Sequence, residues 1–268
     1  MSVIDEAFAR SRREKRAAFI PFLMAGHPHP DVTADLLAAA AAGGADVIEL
    51  GVPFSDPIAD GPVNQRAAAR ALAAGTHLDE VLRIVSTHRE RLAVPIVLFT
   101  YYNPLLARGP ERFAEQAAAS GVDGVLCVDL PPEEAERELL PALRGEGVDS
   151  IFLLAPTSSK DRVRKVQETA SGFVYYVSRT GVTGEREELP RELSREVKRL
   201  RKQLDLPLAV GFGVSTADQV AAVGKIADGV VVGSALVRLV EEHAGNPQLA
   251  SLLEERVREL CSCLGGRR

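Results

Sequence analysis

Three carboxylates crowd one short stretch of this 268-residue chain: Glu49, Asp56 and Asp60, within Ile48-Glu49-Leu50-Gly51-Val52-Pro53-Phe54-Ser55-Asp56-Pro57-Ile58-Ala59-Asp60-Gly61-Pro62. Glu49 sits inside an apolar run from Asp46 to Gly51. A carboxylate buried there is costly unless it is paired or protonated. Alternation along a strand sets Val47, Glu49 and Gly51 on one face and Ile48 and Leu50 on the other. The loop that follows carries three prolines and two glycines, so its shape is fixed by turn chemistry. An acid on a rigid strand and a second acid on a shaped loop above it suit general acid–base catalysis. Two plainer readings stand beside this one. Glu49 could be a structural partner of an arginine or lysine. Asp-Pro and Asp-Gly are ordinary turn pairs, which accounts for Asp56 more comfortably than for Asp60.

Two further segments carry chemistry. Gly211-Phe212-Gly213-Val214-Ser215 and Gly233-Ser234-Ala235 each follow an apolar run, and a helical pattern begins after the second. Glycines let backbone approach a phosphate, and amides at a helix start point at it; tight turns alone would also explain each glycine. Arg179-Thr180-Gly181-Val182-Thr183-Gly184-Glu185-Arg186 is long, polar and hinged by two glycines. It reads as a lid or as an exposed loop. The five histidines and three cysteines have no metal-ligand spacing, so no metal is expected. A nucleophile elbow, a P-loop and a dinucleotide fingerprint are all missing from the sequence, which disfavours covalent, ATP-dependent and NAD-dependent chemistry.

Positioning these groups falls to a rhythm that runs the whole length: apolar run, Gly/Pro/Asp loop, amphipathic segment. The apolar runs are 18–24, 46–51, 95–101, 124–128, 149–155, 172–178, 207–213 and 228–233. Helical faces lie between them, such as Val81, Leu82 and Val85, or Leu139, Leu140 and Leu143. Eight strand–helix units predict a closed (β/α)8 TIM barrel in one domain, 1–268. Residues 2–16 predict an extra helix capping the barrel bottom, and 64–91 two helices after strand 2, broken at Gly75-Thr76. In a barrel, Glu49 would face the axis near the C-terminal mouth, where barrel active sites lie.

The composition fits: 46% apolar residues provide a core, and a net charge of −5 argues against nucleic-acid binding. Cys127 and Cys261 fall in apolar patterns, and an odd cysteine count without a framework points to a reducing cytosol. The runs are too short to span a membrane. The basic N-terminus followed by Phe19–Gly26 superficially mimics a signal peptide, but Pro21 and the acids Asp5 and Glu6 make it a buried strand.

Five blocks together, Phe19–Gly26, Glu49–Pro62 with Gln65, Ser178–Gly184, Gly211–Ser215 and Gly233–Ala235, closely resemble the α subunit of tryptophan synthase, in order and over the whole chain. The resemblance implies retro-aldol cleavage of indole-3-glycerol phosphate to indole and glyceraldehyde 3-phosphate, with Glu49 and Asp60 catalytic. It places phosphate near Gly184, Gly213, Gly233 and Ser234, and the substrate pocket around Phe22, Tyr175 and Phe212. Thr183 matches a lid threonine. Asp56 and the Tyr102-Asn103-Pro104 loop match surfaces facing a β subunit in an α2β2 complex. No cofactor is expected in this chain, pyridoxal phosphate belonging to the β partner. His27 stands where the family more often has Asp or Tyr, a change expected to affect loop or partner contacts more than chemistry. Alternatives share these residues: a self-sufficient indole-3-glycerol-phosphate lyase, or a weak α-like regulator of a β subunit. Another phosphate-binding barrel suits the Glu49–Pro62 block poorly.

Overall fold

The computed structural model describes residues 1–177, 191–211 and 213–265. Eight parallel strands close into a barrel in chain order, β1 pairing with β8. They are β1 (Ala18–Met24), β2 (Ile48–Gly51), β3 (Ile96–Thr100), β4 (Gly124–Cys127), β5 (Asp149–Leu154), β6 (Val174–Val177), β7 (Leu208–Gly211) and β8 (Gly229–Val232). Each lies within one of the eight apolar runs. Parallel strands covered by helices outside and side chains inside need apolar residues on both faces, which is why the runs were continuous.

The two faces have separate cores. Ile48 and Leu50 of β2, Val174 and Tyr176 of β6, and Val230 and Val232 of β8 pack outward against the helices. Val47, Val97, Leu126, Ile151, Phe173, Tyr175 and Ala209 fill the interior. The lower interior is closed by the N-terminal helix Val3–Arg13, which sends Ile4, Ala7 and Phe8 into the same cluster. Phe8 meets Phe173 at 5.4 Å between ring centres. The helix starts at a capping box: Ser2 Oγ accepts from Asp5 N, and Ser2 N donates to the Asp5 carboxylate. The helix predicted over 2–16 thus plugs the barrel from inside.

After β2 come the expected two helices, Pro62–Ala73 and Leu78–His88. Gly75, with φ +85°, sits in the break. The Leu139–Leu143 face is divided: one helix ends at Glu138 and another begins at Leu140. Pro141 lacks the N–H a continuous helix would need. All three leucines are nevertheless buried. The last helix, Leu249–Ser262, packs on Thr33–Ala42 and buries Leu249, Leu253, Val257 and Leu260. Cys127 is buried in the outer core, and Cys261 packs against it.

Candidate active site

A cleft of about 270 Å³ opens at the C-terminal mouth, lined by Phe22, Glu49, Tyr175, Asp60, Gly233 and Ser234 among others. β2 carries Glu49 into it from below. Strand alternation turns the side chain inward, and register sets it beside Phe22 of β1 and Val97 of β3. Glu49 is 1% exposed, and its Oε1 has no hydrogen-bond partner among the described residues. Burial alone raises its pKa to about 8. At neutral pH it is therefore a protonated acid with a free face, ready to give a proton.

Around it stand aromatic walls. Phe22 and Phe99 meet edge to face, 5.3 Å apart at 78°. Tyr175 points inward from β6 as its alternation required, with Phe173 below it, and is buried. Burial, with help from Glu49, keeps its phenol protonated well above the usual range. Tyr175 also dictates the residue at the end of β7. A Cβ on Gly211 would lie 2.1 Å from the Tyr175 hydroxyl, so only glycine fits beneath it. The result is a flat apolar slot above an acid.

Asp60 enters from the loop after β2. Tyr101, at the end of β3, donates its hydroxyl to Asp60 Oδ2 at 2.8 Å and accepts the Ala59 amide at 3.0 Å. Its ring stacks on Phe54, 4.9 Å away. Asn64 reaches Asp60 Oδ1 at 3.5 Å, and the Gln65 amide donates to the Asp60 carbonyl at 2.9 Å. The loop is thus tied to β3 on one side and to the Pro62–Ala73 helix on the other. Burial raises the Asp60 pKa, while the Tyr101 and Asn64 hydrogen bonds pull it back. Neither Tyr101 nor Asn64 was singled out from the sequence. Tyr101 had a signal, as a polar tip at the end of the third apolar run.

Gly213, in the same cleft lining, has φ +83°, a conformation that favours glycine. Gly233 precedes the helix Ser234–Glu242. The first amides of that helix have no intrahelical partner and carry the positive end of its dipole into the cleft. Arg238, one turn further on, lines the same cleft. Phe212, Thr183 and Gly184 lie outside the described residues.

Asp56 is exposed on the outer face of the Asp60 loop, as is Ile58, at 85%. A hollow of about 610 Å³ runs from Val52–Ser55 to Pro104, Ala107 and Arg108. Asn103, next in sequence to the lining residue Pro104, is exposed, and Leu106 is half exposed. The structure therefore joins the two segments assigned to a partner surface. His27, in contrast, is buried rather than displayed. Its pKa is lowered by burial and then by Arg70. Among the described residues no three His, Cys, Asp or Glu side chains gather as metal ligands. No helix among them is long and apolar enough to cross a membrane.

Comparison with known proteins bears directly on this cleft. The sequence model of the family described as tryptophan synthase alpha chain matches residues 8–263. The chain belongs to that family. The alpha chain of Solibacter usitatus is 50% identical over 267 residues, covering all of both chains. The solved alpha subunit of Legionella pneumophila superposes with a TM-score of 0.89 at 37% identity, over 98% of this chain and 99% of that one. A structure of Mycobacterium tuberculosis tryptophan synthase gives 0.88 at 37% identity, over 98% of each chain. Membership of the tryptophan synthase alpha family makes the chain a lyase of tryptophan biosynthesis that acts on indole-3-glycerol phosphate, and implies a β-subunit partner.

Proposed function

We propose that Glu49 and Asp60 carry out the retro-aldol cleavage in this cleft. One observation carries the reading: a buried, unpartnered Glu49, protonated at neutral pH, at the floor of an aromatic slot. The indole ring lies in the slot between Phe22 and Tyr175. Glu49 gives its proton to indole C3, and the ring becomes a cationic iminium. The Asp60 carboxylate, held by Tyr101, lies against the ring N–H and stabilises that charge. Glu49, now ionised, takes the proton from the hydroxyl on the carbon attached to C3. That oxygen's electrons form the aldehyde carbonyl. The carbon–carbon pair returns to C3 and restores neutral indole. One proton enters and one leaves, so Glu49 ends protonated. A pKa near 8 suits a group that must do both near neutrality.

The phosphate sits on backbone amides at Gly213, Gly233 and Ser234, with Gly184 joined by its matching motif, Phe212 belonging to the substrate pocket and Thr183 to the lid. The steps need no cofactor in this chain; pyridoxal phosphate belongs to the β partner. Asp56, Asn103 and Pro104 face that partner in an α2β2 complex in the cytoplasm, and the barrel acts as one catalytic domain. Exposed Ile58 and the adjoining hollow support this assignment. A partner gripping the outer side of the Asp60 loop would raise turnover only by favouring the catalytically aligned state.

The test is indole release from indole-3-glycerol phosphate by the purified chain, alone and with a β subunit titrated in. Slow release alone that rises on complex formation is expected. Full activity alone with no response to bound β would identify the self-sufficient lyase. No release in either condition, with complex formation confirmed, would leave only the regulatory role.

A further inference from the structure

The cleft holds a cation that the backbone-amide account of phosphate binding does not use. Arg238 lies one turn beyond Ser234 on the helix Ser234–Glu242, so the two residues share a face. Both line the cleft, together with Gly213 and Gly233. We infer that Arg238 is a further substrate-binding residue, which places its guanidinium against the phosphate dianion and gives the site its selectivity for phosphorylated over unphosphorylated indoles. This rests on the reading of the cleft as the indole-3-glycerol phosphate site.

Two observations beyond its position support the role. The first concerns its alternatives. On its own helix, Glu241 stands at i+3 and Glu242 at i+4, both natural ion-pair partners. Glu241 is instead occupied by Arg66 at 2.8 Å and Arg70 at 3.4 Å, both reaching across from the Pro62–Ala73 helix. Arg238 has no ion pair or hydrogen bond among the described residues. The cross-helix clasp engages Glu241, Glu242 makes no ion pair with Arg238 among the described residues, and Arg238 stays in the lining of the cleft.

The second concerns the field at the helix start. Some helices here complement their positive ends with acids, such as Asp5 and Glu6, or Asp79 and Glu80, while others, such as Pro62–Ala73 and Leu249–Ser262, do not. The Ser234–Glu242 helix has no acid in its first turn. A cation one turn in adds to the dipole rather than cancelling it, which is unfavourable for the empty helix and favourable once an anion sits there. Amides supply direction to the phosphate, and the guanidinium supplies net charge with paired donors.

The experiment is equilibrium binding of indolepropanol phosphate and of unphosphorylated indolepropanol to wild type, Arg238→Gln and Arg238→Lys, at low and high salt. Wild type should prefer the phosphorylated ligand, with an affinity that falls as salt rises. Arg238→Gln should weaken that ligand about five- to tenfold at low salt, flatten the salt dependence, and leave indolepropanol unchanged; the size reflects a dianion facing one exposed, partly screened cation. Arg238→Lys should keep most of the salt response. Wild-type affinity and salt slope retained in Arg238→Gln would overturn the inference. So would equal weakening of both ligands, which would reveal a disturbed helix. A wild type that does not distinguish the two ligands would instead overturn the underlying reading of the cleft.

Discussion

Asp46, two residues before β2, and Glu49, within it, stand three residues apart, each 1% exposed, and their surroundings are opposite. Asp46, at the barrel bottom, is surrounded by donors: Phe19 N at 2.8 Å, Arg16 Nη2 at 2.8 Å and Arg10 Nη2 at 3.2 Å. In return it holds the Arg16 guanidinium above its ordinary pKa, chiefly through their hydrogen bond. Glu49, at the mouth, meets burial with a proton instead of a partner. A buried acid can be stabilised by pairing or by neutralisation, and only the second leaves it free to react. Burial does not distinguish the structural acid from the chemical one; the company it keeps does.

The sharpest way to break this contrast is to remove the ionisable group at the mouth. Between pH 4.5 and 8 the folded chain keeps a Glu49 proton that the unfolded chain has released. Its stability therefore falls as pH rises through that window and levels off above it. The shift from 4.5 to about 8 corresponds to an upper bound of about 5 kcal/mol. In urea unfolding, Glu49→Gln should match wild type near pH 4.5 and exceed it by several kcal/mol at pH 9, while its turnover falls by about 10²-fold or more. Parallel stability curves would show that Glu49 is not held neutral by burial.

Asp46→Asn tests the other end. Losing the carboxylate that gathers Arg10 and Arg16 should cost about 2–3 kcal/mol, moderated because both arginines reach water. Indole release per folded molecule should stay within about twofold of wild type. A lost rate with unchanged unfolding would put chemistry at the wrong end of the barrel.

The smallest effect sharpens the picture for the second acid. Tyr101→Phe removes a donor from Asp60 and strands the Ala59 amide. Turnover should fall about tenfold, the scale of one hydrogen bond to a charged group. Because the Tyr101 bond lowers the Asp60 pKa, its loss should move the acidic limb of the pH–rate profile upward. An unmoved limb would remove Tyr101 from the account of Asp60.

The barrel was legible because each of its strands needs apolar residues on two faces, and turn residues punctuate every run. Glu49 was legible for the same reason inverted: an acid inside such a run is an exception that strand alternation can orient. Asp46 had the same kind of signal but gained no role, since its partners lie 27 to 36 residues away in sequence. Tyr101 and Arg238 were hidden for a related reason. One acts on a loop that closes over it from another strand, and the other matters because its neighbour Glu241 is engaged by a distant helix. Local pattern fixes which way a side chain points from a strand; it does not say what a loop or a second helix will bring to meet it. His27 was expected among loop or partner contacts, and the structure shows it buried.

The Tyr175 hydroxyl occupies the volume that any side chain on Gly211 would claim. The two positions therefore cannot drift independently through evolutionary time. A lineage that first enlarges residue 211 meets a collision inside the catalytic slot, whereas one that first shrinks residue 175 removes the closest contacts and leaves only the 2.9 Å approach to the Val231 Cβ to be relieved. The order of substitutions matters, and a change harmful in one background becomes admissible in another. Thirty-six positions separate the pair along the chain, yet heredity must treat them as a single site.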